Sequence, residues 1–128
     1  MDPAASAMLA VMAILLIKHF LFDFVLQGPA QLRHKAQYGH PFGLLHAGLQ
    51  AAGSLPAFLV VAPSAAVAAA IVAGEFAVHY HLDWGKEQLL RRTGWSYGDS
   101  RYWAVFGADQ MIHGLTYVTI GGVLAAGL

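Results

Sequence analysis

The apolar residues of this chain are gathered into runs almost long enough to cross a lipid bilayer, and that limits its folds more than any other feature. Residues 5–17 are apolar apart from Ser6, and after Lys18 and His19 the run resumes from Phe20 to Leu26 with Asp23 inside it. Residues 42–62 contain only His46, Gln50 and Ser54 as clearly polar side chains. Residues 65–78 are rich in Ala and Val around Glu75, and 102–128 carry Asp109, Gln110 and His113 before running apolar to the end. An α-helix needs about 20 residues to cross the hydrocarbon core. The sequence therefore predicts an all-α, integral membrane four-helix bundle in one transmembrane domain (1–128), with helices at roughly 5–27, 42–62, 64–84 and 102–127.

Composition excludes the main rival, a soluble domain with buried helices. Of 128 residues, 58% are hydrophobic and 11% charged; soluble domains average about 25% charged. Too little polar sequence remains to coat such a core. Seven basic and seven acidic residues cancel, so no overall field would hold a polyanion and nucleic acid is not an expected partner. No cysteine is present, which removes disulfides and thiol chemistry. The first run lacks the basic flank of a signal peptide, and Lys18, His19 and Asp23 interrupt it, so it is expected to stay as a mature helix.

Charge placement predicts orientation. Every Lys and Arg lies at 18, 33, 35, 86, 91, 92 or 101. With four spans, the positive-inside rule puts the 28–41 and 85–101 loops in the cytoplasm and both termini outside, in the periplasm. Trp84, Trp95, Tyr97, Tyr102 and Trp103 gather at the same boundary, as an aromatic belt would.

The polar residues within the runs fall at intervals of four: His19, Asp23 and Gln27; His46 and Gln50; Glu75, His79 and Asp83; Asp109 and His113. Residues i and i+4 share a helix face, so each helix shows one polar stripe. The up-and-down order brings all four stripes into the cytoplasmic half of the bundle. Ionisable groups in hydrocarbon are costly unless paired, ligated or wet. Imidazole and carboxylate are ligands for zinc, iron and manganese, and helix bundles build metal sites from facing side chains of this kind. The metal ligands expected are His19, Asp23, His46, His79, Asp83, Asp109 and His113, for a divalent ion with zinc favoured over iron or manganese. Asp83 or Glu75 would act as general base, with Lys86 stabilising developing negative charge. Gln27 and Gln110 are expected to support the ligands or face substrate. His34, His40 and His81 lie off the stripes or in loops and are expected to be solvated. Met8 and Met12 are expected to pack, and Gly43, Gly48, Gly53, Gly74, Gly121 and Gly122 to let helices approach.

These residues in this order carry a resemblance. His19-x3-Asp23-Phe24-x2-Gln27, Lys35, His46, Glu75-x3-His79-x3-Asp83-Trp84-x-Lys86 and Asp109-Gln110-x2-His113 are similar to a family of small bacterial integral membrane proteins, the domain of unknown function numbered 3307. The resemblance covers nearly the whole chain and implies a bacterial inner-membrane protein of several helices. It brings no activity with it. The residues themselves point first to a metalloenzyme of hydrolase type, using metal-activated water on a membrane lipid or another amphiphile. Competing readings are proton or ion transport through the same cluster, haem binding by paired histidines, and an ion-pair network with no metal. The nearly apolar outer half weighs against a transport path. A homo-oligomer or a larger membrane complex remains open as a partner arrangement.

Overall fold

The computed structural model describes residues 2–127, and all of its regular structure is helical. Helix α1 (Pro3–Phe20) runs on through one π-helical turn at Leu21–Val25. A short helix α2 (Pro29–His34) leads to α3 (Pro41–Ala52), which is followed by a 3-10 turn at Leu55–Leu59. Two long helices, α4 (Ala65–Thr93) and α5 (Ser100–Ala125), complete the chain. Local chemistry sets the ends. Pro stands at the start of α1, α2 and α3, where its missing N–H is no loss. The Ser64 hydroxyl accepts from the Val67 N–H to cap α4, which stops at Gly94 in the left-handed conformation (φ 70°).

Three expected boundaries are corrected. The run 42–62 is not one helix: α3 has 12 residues and breaks at Gly53 before Pro56. Pro56 lacks the N–H that an α-helix through this point would need from it. The expected third helix does not stop at 84 but continues to Thr93, so most of the first half of the 85–101 loop is helical. The 28–41 loop contains α2.

Helix α3 packs along α4, and α5 packs against both α1 and α4. Two helical stretches, Pro3–Val25 and Ala65–Thr93, are long and apolar enough to cross a membrane. At 1.5 Å per residue α5 is about 39 Å long, but its polar stripe dilutes its apolar content.

The interior has two halves. One is apolar: Val11, Leu15, Ala57, Val61, Ile71, Tyr117, Ile120 and Leu124 form a continuous core. The other holds His19, His46, Glu75, His79, Asp83, Asp109 and His113, all buried. Meanwhile Leu9, Leu16, Ile17, Phe20, Leu59, Leu115 and Val118 are more than half exposed. Polar groups inside with large apolar groups outside is the reverse of a soluble domain.

Only some of the glycines sit where helices crowd. A β-carbon on Gly53 would lie 2.7 Å from the Phe22 ring, and one on Gly121 would lie 3.1 Å from the Met12 sulfur. Gly43 meets Tyr80 at ordinary contact distance, whereas Gly48, Gly74 and Gly122 face open space, which corrects the expectation for those three.

Candidate metal centre

The polar half is built in two layers. The first centres on Glu75 and Lys18, which form a buried ion pair. The Ser54 hydroxyl donates to the other Glu75 oxygen, and Lys18 Nζ also donates to the Gln50 carbonyl at 2.9 Å. That carbonyl is free because α3 ends there: the Ser54 N–H turns to Ala51 instead. The break in α3 thus leaves a backbone acceptor that the Lys18 ammonium fills, and every charge in this layer has a partner.

The second layer is different. His46 Nε2 lies 3.0 Å from His79 Nε2, 3.0 Å from Asp23 Oδ1 and 3.3 Å from Asp83 Oδ2. His79 Nε2 lies 3.5 Å from the same Asp23 oxygen and 3.4 Å from the same Asp83 oxygen. Four donor atoms from three elements thus lie within 4.8 Å of one another, with both histidine nitrogens 3.0–3.5 Å from every other atom of the set. An ion bound at about 2.05 Å to four tetrahedral ligands sets them about 3.3 Å apart. Asp23 Oδ1 accepts from Gln50 Nε2 and Asp83 Oδ2 meets the Lys35 ammonium, so the close approach of the His46 and His79 Nε2 atoms is the contact that a shared proton or a cation has to bridge. A cation at the centre would face all four atoms.

Asp83 has a second face. Its Oδ1 lies 3.5 Å from His113 Nε2, which lies 3.6 Å from Asp109 Oδ1. All three atoms are buried and take part in no hydrogen bond. Asp83, Asp109 and His113 thus form a second donor set, sharing Asp83 with the first. A third set, His19, His79 and His113, overlaps both, but His19 has both nitrogens engaged. The Tyr117 hydroxyl meets its Nδ1 at 2.8 Å and the Gln110 amide its Nε2 at 3.0 Å.

Of the seven residues expected as ligands, six fall in the two sets that share Asp83, and His19 is held beside them. The Gln27 amide nitrogen lies 3.2 Å from both ring nitrogens of His46. Gln50 Nε2 donates to Asp23 Oδ1 at 2.7 Å and links the two layers. Lys86 stands 3.4 Å from Asp109, and Lys35 stands 2.6 Å from Asp83 Oδ2. Glu75 joins none of the donor groups among the described residues, and its oxygens meet the Lys18 ammonium and the Ser54 hydroxyl. His34 and His40 stack on each other, and His81 meets Tyr38; none of the three joins a donor group among the described residues.

Sequence reasoning missed Tyr117 and Ser54 and the partners of Lys18 and Lys35. Tyr117 continues the Asp109–His113 spacing by four, a signal that was there to follow. The Ser54 and Lys18 contacts depend on the break in α3, which no periodicity announces.

Comparison with known proteins adds one result. The family described as "Protein of unknown function (DUF3307)" matches residues 11–126. The chain belongs to that family. No curated protein and no solved structure matches it. The matched segment contains every residue of both donor sets.

Proposed function

We propose that this DUF3307 protein is a multi-pass protein of the bacterial inner membrane that holds divalent metal, zinc in the first instance, in the cytoplasmic half of a four-pass bundle. The observation that carries the reading is Asp83. Its two oxygens face two buried donor sets, one of four atoms within 4.8 Å of one another and one of three atoms without hydrogen bonds. In four passes, α1, α4 and α5 each cross alone, and α3 with the 3-10 turn after it forms a broken second pass. Irregular backbone at membrane depth is tolerated where it is buried in protein, and here Lys18 takes the freed carbonyl. The positions of the basic residues support a cytoplasmic side for the α2 and α4–α5 ends and a periplasmic side for both termini.

The chemistry that fits is hydrolysis of an amphiphile. A divalent ion held there would supply Lewis acidity and lower the pKa of a bound water. The chain's own groups would divide the work. Asp23, His46, His79 and Asp83 would hold one ion, and Asp83, Asp109 and His113 would hold a second through three protein ligands. Lys86, beside Asp109, stabilises negative charge that develops there. Asp83 serves as a shared ligand in this reading, and the Glu75 carboxylate holds the α1–α4 contact through Lys18. The test is metal analysis of purified wild-type and Asp83→Asn protein. Metal in the first and its loss in the second supports the centre; equal content in both refutes it.

A further inference from the structure

A cavity of about 250 Å³ opens beside the donor sets, with Asp23, Lys35, Lys86 and Gln110 among its walls. It is small for a drug-sized pocket and takes a head group rather than a whole lipid. Of its lining residues, Phe24 and Leu32 are about half exposed, at 49% and 54%, and Tyr97 more so. Tyr102 and Phe106 line it from α5.

The charge of the wall depends on the metal, so a ligand for this cavity rests on the metal centre proposed for the bundle. Asp23, Glu87, Lys35 and Lys86 line the cavity, and Asp83 and Asp109 stand behind it, paired with Lys35 and Lys86. Glu87, whose side chain is 28% exposed, also meets Lys86, at 3.8 Å. Without metal the four acids and two lysines leave the group two charges negative. One divalent ion makes it neutral, and two make it two positive. A buried net positive charge calls for an anion. Each ammonium has three donors, so Lys35 and Lys86 each keep capacity for a ligand beyond their aspartate.

We propose that the metal-loaded cavity binds the phosphate monoester head of an amphiphile whose tail leaves past Phe24 and Leu32 into the bilayer. A phosphate monoester carries close to two negative charges at neutral pH and three strong acceptor oxygens. It suits two ammonium groups and a metal face better than a neutral or zwitterionic head. The half-exposed Phe24 and Leu32 distinguish a lipid-borne phosphate from the free ion.

The experiment uses full-length protein in phosphatidylcholine nanodiscs, zinc-loaded or chelated, with metal content measured on each sample. Phosphatidate in the disc and inorganic phosphate in solution are the two probes, and retained lipid is read by native mass spectrometry. The expected result is enrichment of phosphatidate over phosphatidylcholine in the zinc-loaded protein only. Lys86→Gln should weaken it about tenfold, the loss of one charge-assisted hydrogen bond, with metal retained, and Lys86→Arg should restore most of it. Metal bound with no preference for phosphatidate overturns the phosphate site and leaves the metal centre standing. Competition by inorganic phosphate as strong as by phosphatidate overturns the lipid source. A protein that binds no metal overturns both readings together.

Discussion

Asp83 is the residue on which both donor sets depend, and its variants separate them. Asp109→Asn removes one ligand of the second set alone and should lower metal content from about two ions per chain to about one. Asp83→Asn removes a ligand from both sets and should take it close to zero, while His34→Ala should match the wild type. Plasma mass spectrometry on the purified variants reads all three. Glu75 makes the opposite prediction. Glu75→Gln leaves the Lys18 ammonium buried beside a neutral amide, which costs about 3–5 kcal/mol. Thermal unfolding in detergent should drop markedly, with metal per folded chain unchanged. Loss of metal without loss of stability would move Glu75 into the metal site. The spacing by four made the candidate residues legible as polar stripes, because i and i+4 share a face. It could not separate Glu75 from them. Glu75 lies on the same stripe as His79 and Asp83, and only the lysine and serine opposite it decide its role.

At the scale of elements, the π turn and the broken helix do what ideal helices would not. The π-helical turn at Leu21–Val25 contains Asp23, whose Oδ1 meets both His46 and His79; such turns recur at functional sites. The break after α3 frees the Gln50 carbonyl for Lys18. Neither feature was legible in the hydropathy pattern, which registers apolar length and not the hydrogen-bond register within it. Gly53, at the break, tests the packing between α3 and the end of α1. Gly53→Ala brings a methyl to 2.7 Å from the Phe22 ring, and overpacking of this kind costs about 1–3 kcal/mol. Gly48→Ala, in the same helix, meets nothing within 4 Å and should be neutral or mildly stabilising. Paired melting curves check the difference, and equal shifts would show that the Phe22 ring moves aside freely.

For the whole molecule, the inverted distribution of polar and apolar groups is the property that a membrane explains. All-helical architecture and the stripes facing one another were legible from periodicity and run length. The length of α4 was legible only in part: the polar 85–101 stretch offers a short amphipathic segment at Lys86 to Arg92, and that segment continues α4 instead of standing apart in a loop. Topology is open to a direct check because the chain has no cysteine of its own. Single substitutions Ser96→Cys, between α4 and α5, and Ser64→Cys, at the start of α4, should react with a membrane-impermeant maleimide from opposite sides. Ser64→Cys is expected to label in intact cells and Ser96→Cys only after the membrane is opened. Labelling of both from one side would refute the four-pass arrangement.

The most direct test of the centre itself is metal analysis of wild-type protein purified in detergent without chelator and without an immobilised-metal column. With two buried sets that share Asp83, the account predicts about two zinc, iron or manganese ions per chain, retained through gel filtration. Protein that is folded, monodisperse and free of metal even after incubation with zinc would contradict it. The second layer would then be a network of buried ion pairs among Asp83, Asp109, Lys35 and Lys86.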